Sequence, residues 1–142
     1  MKAMVTALIF LFASTARAET SVLAGAWSKH LYADQQYNET HNLVAVQHNK
    51  VFAGYFVNSY EEDTLAIAYK WSFDYKLLEV GVYGGAMYGY RDCFGLQASQ
   101  RSRKVCPMVV PFATLDLGPV DPQVYLLGSA LAVGFKIDIG EF

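Results

Sequence analysis

From Thr64 to Phe73 the chain alternates strictly: Leu65, Ile67, Tyr69, Trp71 and Phe73 fall on one side of an extended strand, and Thr64, Ala66, Ala68, Lys70 and Ser72 on the other. A helix would scatter both sets around its circumference, whereas a strand separates them by its period of two. Residues 130–139 repeat the pattern, with Leu131, Val133, Phe135, Ile137 and Ile139 opposite Ala130, Ala132, Gly134, Lys136 and Asp138. Between turn signals, further strands are predicted at 22–33, 42–48, 51–59, 77–90, 108–115 and 120–127. Short connections at His48-Asn49-Lys50 and Asp74-Tyr75-Lys76 alternate with longer ones at 34–41, 60–63 and 91–107.

That alternation of connection lengths fits an all-β fold, an eight-stranded antiparallel up-and-down transmembrane β-barrel with apolar residues toward lipid and small or polar ones toward the lumen. After Leu115, the pairs Gly118-Pro119, Asp121-Pro122 and Gly128-Ser129 crowd the seventh strand, so six strands or an irregular seventh compete with eight. Gly81, Gly84, Gly85, Ala86 and Gly89 on the fifth strand either let a narrow barrel close or leave room for a ligand against the backbone.

Composition strengthens the barrel reading. The chain is 54% hydrophobic and 15% aromatic, yet no apolar run in it is long enough for a membrane helix. An even spread of apolar residues is what a wall of lipid-facing strands demands. A soluble exported barrel binding an apolar ligand inside would need the opposite burial, with Leu65, Ile67 and Trp71 inward.

At the start, Lys2, an apolar run over residues 5–13 and the segment Ser14-Thr15-Ala16-Arg17-Ala18 read as a secretory signal peptide with an A-x-A cleavage site. The run is far short of the roughly 20 residues a spanning helix needs. Residues 1–18 are therefore expected to be a signal peptide and residues 19–142 a single barrel domain of the Gram-negative outer membrane. Gly134-x-x-Ile137-x-Ile139 and a terminal Phe142 match the last-strand signal of such barrels, so barrel-assembly machinery is an expected partner during insertion. A formal net charge of −2 does not suggest nucleic acid as a partner. Cys93 and Cys106, in an exported chain and with no histidine nearby, are expected to form a disulfide rather than hold a metal. No cofactor is implied, and a monomer is expected.

Three histidines could carry chemistry. His48 falls in a short turn, and His41 stands at a loop end without an obvious partner. If Trp27, Lys29 and Leu31 face outward, then Ser28 and His30 face the lumen, and His30 becomes a candidate general base near the long-loop rim. Ser59 ends the third strand at the same rim. A hydroxyl, an imidazole and a carboxylate from Asp34, Glu39 or Glu61 would be the parts of an acyl-transfer site, although Asn58 and Ser59 also suit a turn and His30 a hydrogen-bonded lumen position. Arg91, Arg101, Arg103 and Lys104 gather in the loop between the cysteines, where they are either solvated or in contact with lipopolysaccharide phosphates.

Trp27 and His30 stand ahead of Tyr37-Asn38-Glu39, and Asn58-Ser59-Tyr60, Gly81-Val82-Tyr83-Gly84-Gly85 and Pro107-Met108-Val109-Val110-Pro111-Phe112-Ala113 followed by Gly118-Pro119 come after them. In these motifs the chain resembles, over most of its length, the outer-membrane lipid A palmitoyltransferases. The resemblance implies an eight-stranded barrel whose lumen holds an acyl chain, with His30 and Ser59 serving palmitate transfer from phospholipid to lipid A. It also implies that Pro107, Pro111, Pro119 and Pro122 loosen strand pairing so that lipid enters sideways. Three features depart from that family: Ser28 rather than His follows Trp27, Asn58 replaces an Asp, and only Glu19 and Thr20 precede the first strand where the family has an amphipathic helix. The same Trp-Ser-x-His, Tyr-Asn-Glu and Asn-Ser-Tyr pattern is similar to compact phage-encoded barrels. Two functions follow as expectations. One is lipid A acyl transfer with membrane lipids and lipopolysaccharide as partners; the other is a non-enzymatic surface barrel that alters or blocks a receptor.

Overall fold

A computed structural model describes residues 19–31, 36–91, 93 and 104–141. The expected signal peptide, Asp34, Arg101, Arg103 and Phe142 lie outside the described residues. The chain forms a closed barrel of eight antiparallel strands in sequence order: β1 (Glu19–His30), β2 (Thr40–His48), β3 (Val51–Val57), β4 (Asp63–Tyr75), β5 (Leu78–Tyr90), β6 (Lys104–Leu115), β7 (Val120–Leu127) and β8 (Ala130–Glu141). Leu65, Ile67 and Trp71 stand outward with 59%, 60% and 54% of their surface exposed, while Thr64, Ala66, Ala68 and Lys70 are buried inside. This is the reverse of the burial a soluble barrel with an apolar lumen ligand requires. Every strand from β2 to β8 adds exposed apolar side chains, so the wall carries a continuous apolar band.

Several boundaries differ from the pattern reading. β4 continues to Tyr75, pairing Tyr75 with Leu78, so the tight turn is at Lys76 and Leu77, with Lys76 at φ 57°. β6 starts at Lys104 because its ladder with β5 extends past Pro107 to Val105 and, across an irregularity at Tyr88–Tyr90, to Lys104, which brings Pro107 inside the wall. Proline lacks an N–H but keeps its carbonyl, so it is tolerated where the neighbour on that side does not need the donor. The seventh strand is complete on one flank, pairing with β8 from Val120 through Leu127. Its irregularity falls on the other flank, where β6 and β7 pair at Phe112–Tyr125, Ala113–Val124 and Thr114–Gln123. From Pro111 back toward the long-loop end, this seam has no register pairs among the described residues.

A bulge in β1 decides which residues enter the lumen. Gly25 and Ala26 both have positive φ, 96° and 66°, and the register against β2 and β8 shifts between Gly25 and Trp27. Before the bulge Ser21 and Leu23 are buried; after it Ala26 and Ser28 are, and Trp27 is outside. One extra residue inverts the alternation, and His30 thereby joins the inward face.

The lumen is layered. Nearest the short turns, Lys70 pairs with Glu79, and Lys136 lies 3.3 Å from Glu19 and 3.4 Å from Asp138. These groups line an open vestibule of about 950 Å³. Above it a hydrogen-bonded belt crosses the barrel: Tyr83 OH donates to Gln47, Gln123 donates to Tyr83 OH, and Tyr125 OH donates to Gln123. The Tyr83 ring sits between Phe52 and Phe112 at centroid distances of 5.3 and 4.6 Å. Above the belt, the space left among apolar side chains is about 40 Å³. That is room for no more than a few waters, so this part of the lumen is closely filled by its own side chains.

The fifth-strand glycines serve closure. By alternation Gly81, Gly85 and Gly89 share the Tyr83 side of β5, and a Cβ added there would fall 2.2, 2.0 and 2.3 Å from the carbonyl oxygens of Trp71, Ile67 and Asp63 on β4.

The disulfide is formed: Cys93 and Cys106 are joined with their Cα atoms 5.5 Å apart, tying the β5–β6 connection to the wall. Closing a loop of this size restricts the unfolded chain by about 3 kcal/mol. Replacing both cysteines by serine is expected to lower the urea unfolding free energy of the barrel by that amount, and a midpoint equal to wild type would show that the bridge contributes nothing.

Candidate functional site

Asn58 organises the long-loop rim. Its side chain is fully buried, its Oδ1 accepts from the backbone N–H of Tyr60 at 2.8 Å and Glu62 at 3.1 Å, and its Nδ2 donates to Thr64 Oγ1 at 3.1 Å and Gly89 O at 3.5 Å. This network ends β3 at Val57 instead of Ser59. An aspartate could make the two acceptor bonds but neither donor bond, so this turn selects Asn at position 58.

Asn38 joins the two motifs on which the resemblance rests. Its backbone N–H donates to Ser59 O at 3.0 Å, and its Nδ2 donates to Asn58 O at 3.1 Å and to Thr40 O at 2.8 Å. Tyr37 stacks on His30 at 4.3 Å, and Tyr60 stands edge-on to both Tyr37 and Tyr90. Tyr37, Asn38, Ser59, Tyr60 and Glu61 line a rim depression of about 450 Å³.

His30 and Ser59 thus reach the same rim, but no hydrogen bond joins them among the described residues. Tyr37 separates them, covering His30 on one side and lining the Ser59 depression on the other. His30 Nδ1 is buried with no hydrogen-bond partner among the described residues. Leaving such an atom unsatisfied costs about 1–3 kcal/mol. Glu39 engages the site through its backbone, accepting from Ser28 N–H at 2.8 Å, and Glu61 is exposed.

The hydroxyl–imidazole pair that forms is a different one. Ser28 Oγ lies 2.7 Å from His41 Nε2, and His41 Nδ1 lies 2.7 Å from Val57 O. Both side chains are buried, Ser28 at 9% exposure and His41 at 2%. A carbonyl only accepts, so Nδ1 carries the ring hydrogen and Nε2 is left as an acceptor for the Ser28 hydroxyl. The ladder between β2 and β3 ends at Val44–Tyr55, and the His41 bond to Val57 continues the connection beyond it. Alternation could have exposed His41, which shares a face with Leu43, Ala45 and Gln47; Ser28 could not be assigned without the bulge.

His48 and Arg91 are surface groups. His48 Nδ1 lies 2.9 Å from Thr20 Oγ1 at an exposed turn. Arg91 Nε donates to Glu62 Oε1 at 2.6 Å, so its charge is already partnered. Lys104 opens β6. No family model and no curated protein matches this chain.

Proposed function

We propose that the protein is an outer-membrane barrel that moves an acyl chain from a phospholipid to lipopolysaccharide at its long-loop rim. The observation that carries this reading is the β6–β7 seam. There Pro111 supplies no N–H, pairing is confined to Phe112–Thr114 on the β6 side, and the Leu126 and Leu127 end of β7 has no register partner on β6 among the described residues. Behind the seam Met108, Val110 and Leu127 form one wall of the small apolar cavity, and His41 lies across it. An unpaired stretch of wall gives a lipid headgroup a lateral path to polar groups while its tail stays in the bilayer, which also suits a lumen closely filled by its own side chains. In this reading His30 acts as base toward the acceptor hydroxyl and Ser59 polarises it.

The apolar band and the aromatic residues near the short turns, Tyr69, Trp71, Phe73 and Tyr75, support the membrane assignment. Ile67→Arg is expected to lower stability in vesicles by about 2–4 kcal/mol, the cost of a cation in the lipid-facing wall near mid-bilayer. An unchanged midpoint would place Ile67 against water. Mass spectrometry of lipid A from cells with and without the protein tests the reaction. An added acyl mass is expected, and it should be lost in His30→Ala and Ser59→Ala; full modification by both variants would remove those residues from the mechanism.

The packed lumen and the use of Asn38 and Asn58 as rim clamps favour a second reading, a non-enzymatic surface barrel that alters or blocks a receptor. It predicts altered phage adsorption with lipid A mass unchanged.

A further inference from the structure

We infer that Ser28 is an acyl-accepting nucleophile and His41 its base, acting on the carboxylic ester of a membrane lipid. The substrate class rests on the acyl-transfer reading above, whereas the assignment of nucleophile and base rests on geometry. Activating a serine hydroxyl takes a base within hydrogen-bond reach and a third group that holds the base in the right tautomer. The 2.7 Å contact from Ser28 Oγ to His41 Nε2 supplies the first, and the 2.7 Å contact from His41 Nδ1 to the Val57 carbonyl supplies the second. His30, two residues further along the same inward face of β1, offers a buried Nδ1 with no partner among the described residues. As an N–H donor it would stabilise an oxygen that gains charge only during reaction. His41 lines the same small apolar space as Met108, Val110 and Leu127 of the seam strands, so the ester reaches Ser28 where the seam parts, its acyl tail remaining in the bilayer.

In the first half-reaction Ser28 Oγ attacks the ester carbonyl carbon and His41 Nε2 takes its proton. The bond from that carbon to the glycerol oxygen breaks, His41 returns the proton to this oxygen, and the lysolipid leaves an acyl ester on Ser28. In the second, an acceptor hydroxyl at the rim attacks the acyl carbon and gives its proton to His41, which passes it to Ser28 Oγ as that bond breaks. His41 thereby takes the base role from His30, and His30 and Ser59 serve to hold the acceptor and the developing charge.

The test treats the folded full-length chain in detergent micelles with an alkyl fluorophosphonate and locates the adduct by peptide mass. One adduct on Ser28 is expected. It should survive Ser59→Ala, vanish in Ser28→Ala, and form at least about 100-fold more slowly in His41→Gln. The heat-dependent gel shift of an intact barrel controls for folding. Ser28→Cys keeps a small side chain within reach of His41, and is expected to fold without being labelled. No adduct on the wild type, an adduct on another residue, or wild-type labelling of His41→Gln overturns the assignment. An adduct on Ser28 with unchanged lipid A mass sustains it while removing lipopolysaccharide as acceptor. A lipid A mass increase that persists in both Ser28 variants overturns it while leaving the acyl-transfer reading in place.

Discussion

Alanine at position 85 is expected to cost the barrel about 3 kcal/mol or more, enough to abolish folding in lipid vesicles or move the urea midpoint far down. The added Cβ would fall 2.0 Å from Ile67 O and 2.6 Å from Ala68 Cα, both backbone atoms of the neighbouring strand. Overpacking against side chains typically costs about 1–3 kcal/mol, and here the obstruction is a paired backbone that cannot swing aside without breaking the Ala68–Gly85 register. The adjacent glycine provides the control. At Gly84 a Cβ would approach the far end of the Trp71 ring, at 2.7 Å, and an exposed side chain can shift. Gly84→Ala is therefore expected to cost less than about 1 kcal/mol. Equal midpoints for the two variants would mean that β4 and β5 separate more readily than their described approach implies.

Glu79→Ala is the second large effect, expected at about 3–5 kcal/mol because it leaves a mostly buried cation without its counter-ion. Glu79 accepts from both Lys70 Nζ and Ser72 Oγ, and the Lys70 and Glu79 side chains are 10% and 13% exposed. In the same layer Glu19 and Asp138 are engaged with Lys136. Removing both partners, as Lys70→Met with Glu79→Leu, is expected to restore most of the stability, since the desolvation cost of the pair disappears with it. Unfolding titrations of the two single variants and the double give the coupling directly. A loss below about 0.5 kcal/mol for Glu79→Ala would show that vestibule water solvates Lys70 fully.

Gly85 and Lys70 stand out in the pattern of the chain, but neither their partners nor Glu79 do. Gly81, Gly85 and Gly89 read equally as closure or as ligand space, and only their 2.0–2.3 Å clearance to β4 carbonyls decides for closure. Lys70 was placed inward by alternation, but Glu79 belongs to the next strand, and its pairing with Lys70 depends on where the turn falls. That turn sits at Lys76 and Leu77; at Asp74-Tyr75-Lys76 the register would have slipped and other residues would oppose each other.

The same division runs through the candidate site. Alternation along β4 and β8, the even spread of apolar residues and the cysteine pair are local properties, and from them the eight-stranded wall, its outward face and the disulfide could all be read. What faced what across the lumen could not. The bulge at Gly25 and Ala26 inverts β1 without an unambiguous local signal, because alanine at φ 66° is held by the strands on either side rather than by its own preference. It turns Ser28 toward His41, a residue that had no visible partner in the chain order, while Tyr37 comes between His30 and Ser59. A period of two determines the side of a strand from neighbouring residues alone. The contacts inside a closed barrel depend on every register and bulge around its circumference, and these are set together only when the last strand meets the first.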